Sequence, residues 1–348
     1  LNYTFTFYIY LMYIVNILIY LYKNIVMKYE KNDRKFERNN YDRKHQSRRK
    51  NDGYKDGYKG EKRHDDRRFE KNTLNDNKKQ FFNPSLDVIV SIVVKISDFE
   101  NVVKTINSIK DVKFYNKKIV VSVDRATFSQ SNYNKLISVF KNQHFIEFNF
   151  VKKANHKDNV FNLCKGFARY YLLLNAGIEV CQNSAEKMSL FLKENVRDYY
   201  AVSPTFYSEN GDIIKSCKRF PNLADLFARF FKPSTYINSQ HYLIYNMLER
   251  GDAGYLKIHS VSNPIMDCIM IDGSFVVKHK PLCNSYSSTF LNNLKLAKKI
   301  VSYNKKIVYF PLARVIKRDG EKETKPSIFE SLKFFLTNGI SLKYKPSH

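Results

Sequence analysis

From about residue 86 the chain alternates between apolar runs of strand length and stretches with helical spacing. "DVIVSIVVKI" (87–96) is almost unbroken and rich in Val and Ile, the pattern of a strand buried on both faces. "DFENVVKTINSIKDV" follows, with Val102, Val103, Ile106 and Ile109 on one helical face. "KKIVVSVD" is a second buried strand and ends at Asp124. "NYNKLISVFKN" reads as a helix, "FIEFNFVK" as a third strand and "YYLLLNAGIEV" as a further buried strand with a polar break at Asn175. Strand, helix, strand, helix, strand is the signature of an α/β fold with a mostly parallel sheet and flanking helices. Ligands bind such sheets beyond the carboxyl ends of the strands. Asp124 and the segment from Asn175 to Glu179 therefore share one expected pocket.

The chain before this region has two other patterns. Residues 3–22, "YTFTFYIYLMYIVNILIYLY", carry no charge. At ~1.5 Å per residue they are long enough for a ~30 Å hydrocarbon core. No basic region precedes them and no small-residue cleavage site follows, which argues against a cleaved signal peptide. Two expectations stay open for residues 1–26: a membrane anchor, or an apolar stretch upstream of a start at Met27. Basic residues follow the stretch, so an anchor would leave the remainder cytoplasmic, at the membrane face. Residues 27–85 alternate charges of both signs, with few apolar residues and a short "DGYKDGYKG" repeat. Such a segment buries too little to offset chain entropy and is expected to be a disordered basic linker. Three regions result: 1–26, 27–85, and a folded domain at 86–348.

Composition narrows the partners. The 348 residues hold 59 Lys and Arg against 33 Asp and Glu, a formal net charge of +26. That favours anionic partners: phosphorylated substrates, an acidic membrane surface or nucleic acid. The 43 % hydrophobic content supports a sizeable core. Cys164, Cys181, Cys217, Cys268 and Cys283 are scattered without a CxxC pair, so neither a zinc site nor a disulfide framework is expected. The His residues show no metal-ligand spacing.

Six segments in order resemble glycosyltransferase family 2, in particular its rhamnosyltransferase-like branch. They are "VSIVVKISDFENVVKTINSI", "VVSVDRATFSQS", "YYLLLNAGIEV", "SENGDIIKSCKRFPNLADLFARFF", "DGSFVVKHKPL" and "FLNNLKLAKKIVSYNKKIVYFPLARVIKRDG". The resemblance implies a GT-A fold, in which a Rossmann-like nucleotide half merges with an acceptor half. It implies a nucleotide-sugar donor, and a glycan or lipid-linked acceptor such as a surface polysaccharide or glycolipid. It also implies a divalent metal, whose ligands are replaced here. Asp124 stands at the first nucleotide-contacting carboxylate, but Ser129 stands near the second. Gly177 replaces the metal-binding Asp, and Asn292 and Asn293 replace the acidic run containing the catalytic base. Lys317 and Arg318 stand where a metal-contacting His is usual.

Inverting sugar transfer needs a base for the acceptor hydroxyl and a cation for the leaving diphosphate. Lys317 and Arg318 are the candidate cations, completing a nucleotide site with Asp124 and Asn175. Gly273, Asn292 and Asn293 are the candidate acceptor contacts. Asp272 and Glu179 are the substitute bases; against them, Asp272-Gly273 also reads as a turn and Glu179 as an exposed strand exit. No cofactor is expected. Three functions follow: metal-independent sugar transfer, a catalytically inactive pseudo-glycosyltransferase that binds or scaffolds, and nucleic-acid binding by the basic segment. Nucleic acid is the least favoured partner.

Overall fold

The computed structural model describes residues 84–164, 167–218, 220 and 255–318, with 327, 330, 331, 333, 334 and 337. The apolar stretch at 3–22, the charged segment to residue 83 and the run "PNLADLFARFF" lie outside the described residues. Among the described residues, no helix is long and apolar enough to cross a membrane.

The strands, in chain order, are β1 (Leu86–Val94), β2 (Lys117–Asp124), β3 (Ile146–Val151), β4 (Ala168–Asn175), β5 (Ile178–Val180), β6 (Tyr199–Tyr207), β7 (Ile213–Ile214), β8 (Cys217–Lys218), β9 (His259–Val261), β10 (Asn263–Pro264), β11 (Cys268–Asp272) and β12 (Lys306–Lys317). Among the described residues the longer helices are α1 (Phe99–Lys110), α2 (Gln130–Val139), α3 (Ser184–Glu194), α4 (Gly273–His279) and α5 (Thr289–Ser302); a helical turn at His156–Asp158 and a π-helical turn at Asn159–Leu163 lie between β3 and β4. The main sheet runs β3-β2-β1-β4-β11-β6-β12-β5, with β7 on β6 and β9 on β12. The first four strands of that order are mutually parallel. β11 is antiparallel to both β4 and β6, so the sheet is mixed but mostly parallel.

The period-2 alternation of the strands sorts their side chains to two faces. Val88, Val90 and Ile92 join Leu172 and Leu174 on one face, covered by Val102 and Ile106 of α1 and Met188 of α3. Ile89, Tyr171 and Leu173 point to the other, under Phe275 of α4 and Phe290 and Leu294 of α5. Both faces are covered, which is why β1 and β4 read as continuous apolar runs. Each early helix begins at a polar cap. The Asp98 carboxylate accepts from Asn101 N at 3.1 Å, and Ser129 Oγ accepts from Asn132 N at 3.1 Å. Ser129, expected near a second nucleotide-contacting position, is thus the cap of α2.

The strand order reverses at β1, which lies between β2 and β4. The carboxyl ends of β1, β2 and β4 therefore flank a crevice of the kind that open α/β sheets use for ligands. Because β11 runs the other way, its first residue, Cys268, lies opposite Leu174 and its last, Asp272, opposite Tyr170. The residue before β11, Asp267, thus sits at the crevice edge, where its carbonyl accepts from Asn175 N at 2.8 Å. Asp272 and Gly273 sit at the opposite edge.

Candidate functional site

Asp124 closes β2 and is only 8 % exposed. Its Oδ1 accepts from Ala126 N at 2.9 Å and its Oδ2 from Ala154 N at 3.4 Å. The carboxylate ties the turn after β2 to the loop after β3. Two bonds leave part of its roughly four acceptor positions unspent.

Beside it runs a chain of hydrogen bonds that spans the crevice. Lys317 Nζ donates to Asp267 Oδ2 as an ion pair. Asn175 Nδ2 donates to Asp267 Oδ1 at 2.9 Å. His156 Nε2 is 3.1 Å from Asn175 Oδ1, and its Nδ1 is 2.8 Å from Ser91 Oγ. Asn159 Nδ2 donates to Ser91 Oγ at 3.0 Å. The direction of every link follows from its end. An ionised carboxylate only accepts, so Asn175 must turn its amide nitrogen to Asp267 and its oxygen to His156. That oxygen only accepts, so His156 carries its proton on Nε2. Burial in its surroundings lowers the His156 pKa to about 4, with the nearby Lys95 cation adding to the effect and the Asn175 bond opposing it. The ring is then neutral, and its bare Nδ1 accepts from the Ser91 hydroxyl. All donors point toward Asp267.

The crevice continues as a cleft between this chain and the start of α5. Lys95, Lys153 and Lys157 line one part; Lys218 and Lys317 line the other; Asn175, Met266, Thr289 and Asn293 are common to both. Five lysines thus line the two parts, and Asp267, beside Lys218 and Lys317, is the carboxylate among the described lining residues; its side chain is 21 % exposed and within reach of a ligand. Lys95 Nζ bonds Thr289 Oγ1 at 3.2 Å, joining the end of β1 to the start of α5.

The expected site residues divide. Asp124, Asn175, Lys317, Asn292 and Asn293 lie in or beside this crevice. The Asn292 amide is spent on the loop before α5, accepting from Tyr286 N at 3.2 Å and donating to Tyr286 O at 2.9 Å. Arg318 is bonded through Nη2 to Glu179 Oε2 at 2.7 Å and through Nη1 to Glu209 Oε1 at 3.2 Å. Glu179 lies on β5, at the far end of the sheet order, with its carboxylate on Arg318. It does not line the cleft. Asp272 and Gly273 are away from the crevice altogether. Asp272 caps α4 by accepting from Phe275 N at 3.1 Å. Gly273 is packed on the start of β4, where a Cβ would meet Ala168 O at 1.9 Å. Asp272, expected as a substitute base, and Gly273, expected as an acceptor contact, thus lie at the other edge of the sheet, because the antiparallel course of β11 brings Ile265–Asp267 to the cleft.

Gly177 also acquires a local reason. Its φ is 90°, in the left-handed region that favours glycine. Its N–H donates to Thr105 Oγ1 at 3.0 Å, and its carbonyl accepts from Arg318 N at 2.9 Å. The glycine makes the tight connection from β4 to β5.

Asp267, His156, Ser91 and Lys95 do not stand out as site residues in the sequence. The one available signal was a carboxylate immediately before an apolar run, "MDCIMI". Its position at the carboxyl edge depends on strand direction, which the run does not encode.

No family model matches this chain. No curated protein does either. Among solved structures, the chain is similar to the crystal structure of S. aureus TarS 1-349, at a TM-score of 0.42 and 10 % identity. The match covers 66 % of this chain and 60 % of that one, so this chain spans less than two thirds of that chain's length.

Proposed function

We propose that this chain binds a nucleoside-diphosphate sugar in the lysine-lined cleft and transfers the sugar to an acceptor hydroxyl, as a glycosyltransferase of GT-A type. The acceptor class is a surface polysaccharide or glycolipid. The observation that carries the reading is the placement of five lysines and one carboxylate along the cleft that adjoins the carboxyl ends of β1 and β4, where the strand order reverses. A diphosphate is a compact double anion, and clustered ammonium groups in a partly enclosed cleft suit it. Asp124, at the end of β2, would take the nucleoside side, as the resemblance to family 2 implies.

A divalent cation, which that family implies, does not fit the residues present. Asp267 is already paired with Lys317, Asn175 spends its oxygen on His156, and Gly177 has no side chain to offer. Among the described residues, no group of three His, Cys, Asp or Glu is placed to hold a metal. Lys317 supplies positive charge at this point of the cleft. A second reading, a protein that binds the nucleotide sugar without turning it over, is favoured by Asn292 and Asn293 at the positions of the usual acidic run.

Two tests follow. UDP or dTDP should bind equally with EDTA and with Mn²⁺, and more weakly as salt rises, since partly solvated charges are screened. Asp124→Ala should weaken that binding about tenfold or more, in line with roughly 1.5–3 kcal/mol per charged hydrogen bond. Circular dichroism checks that the fold persists. Unchanged affinity for both nucleotides would remove Asp124 from the site.

A further inference from the structure

The geometry points to Asp267 as the proton acceptor of the transfer, held by Asn175 and His156 and uncovered when Lys317 turns to the donor's diphosphate. This rests on the reading of the cleft as a nucleotide-sugar site. The acidic run expected at the start of α5 is Asn292-Asn293, and neither amide accepts a proton at neutral pH. Asp272 and Glu179 lie outside the cleft. Asp267 is the one carboxylate among the described lining residues.

Its surroundings suit the role. The directed chain from Asn159 through Ser91, His156 and Asn175 ends on Oδ1 and fixes the plane of the carboxylate. Its other oxygen is covered by one mobile-ended group, the Lys317 ammonium. Lys317 sits on the cleft wall shared with Lys218 and Asn293. An arriving diphosphate offers Lys317 a second anion, so donor binding and release of the carboxylate become one event. The step is then balanced. The acceptor O–H gives its proton to Asp267 Oδ2, and the oxygen forms a bond to the anomeric carbon. The bond from that carbon to the phosphate oxygen breaks, and its electron pair leaves with the nucleoside diphosphate, beside Lys317 and the other cleft lysines. His156 and Asn175 are positioning residues.

The test uses the full chain with UDP-glucose, UDP-N-acetylglucosamine and dTDP-rhamnose as donors, water as acceptor, and release of UDP or dTDP as the readout. Asp267→Asn should lose turnover about a hundredfold or more, within the usual range for a general base. It should bind UDP at least as tightly as the wild type, since a negative charge next to the phosphate site is removed. Asp267→Glu keeps the charge and the ion pair while displacing the carboxylate by one methylene. It should fold normally and still lose turnover, which separates a base from a strut if Asp267→Asn proves unstable. Wild-type turnover in either variant overturns the proposal. So does a wild type that binds UDP but releases nothing from any donor, a result that leaves the binding site standing. A wild type that binds neither UDP nor dTDP removes the nucleotide-sugar reading together with the base.

Discussion

Gly273→Ala is expected to destabilise the domain by about 3 kcal/mol or more, at the upper end of overpacking costs. The added Cβ would lie 1.9 Å from Ala168 O, 2.7 Å from Arg169 O and 2.9 Å from Arg169 C. All three are backbone atoms at the start of β4, so no side chain can swing aside to make room. β4 is held on one side by β1 and on the other by β11, and both pairings resist a shift. Gly211→Ala is the control. That glycine has φ of 86° with nothing within 4 Å of its Cβ position, so only backbone strain of roughly 1–2 kcal/mol is expected. Urea midpoints of the two variants measure the difference. A glycine kept for an acceptor sugar would behave otherwise: Gly273→Ala would melt like the wild type and lose only transfer.

The same pair of residues shows what the sequence could and could not convey. The first half of the sheet was legible almost to the residue. "KKIVVSVD" is β2 from Lys117 to Asp124, and the helical spacing of Val102, Ile106 and Ile109 marks the buried face of α1. Continuous apolar runs there mean two covered faces, and the parallel course follows from the intervening helices. "CIMID" was a different problem. A short buried run reads alike in either direction, and β11 is the strand inserted antiparallel between β4 and β6. Asp272-Gly273 after it carries a turn signal, yet the structure uses the Asp as a cap and the Gly as a contact surface. In the candidate site, Asp124 and Asn175 stand out in the sequence because each ends a strand. Asp267 and His156 owe their places in the crevice to partners far away in sequence: Asn175 is 92 positions from Asp267, and Ser91 is 65 from His156. Local pattern carries no trace of such pairings.

His156 should make the domain sensitive to mild acid. Its imidazole is held neutral, with a folded pKa of about 4 against ~6.5 for an unfolded histidine. Between those values the unfolded chain binds a proton that the folded chain excludes. The contribution is therefore complete above about pH 6.5 and is lost as pH falls toward 4, at up to ~1.4 kcal/mol per pH unit. The residue keeps some contact with solvent, so a total of about 2–3 kcal/mol is expected rather than the full product. Protonation also reverses one link of the crevice. Nδ1 would become a donor facing Ser91 Oγ, so the Ser91 hydroxyl would have to turn its own proton away, and a positive charge would enter the chain three groups from its start. Loss of stability and loss of donor turnover should then share one acid limb. Urea midpoints at pH 7, 6 and 5 test the first, comparing wild type with His156→Gln, which keeps a donor for Asn175 but does not titrate. His279, also lowered chiefly by burial, contributes in the same direction in both proteins and cancels in the difference. The variant should be less stable at pH 7 and flatter below it. If the two proteins lose stability in parallel as pH falls, the proton is not being excluded at His156, and the direction assigned to the hydrogen bonds on either side of it is wrong.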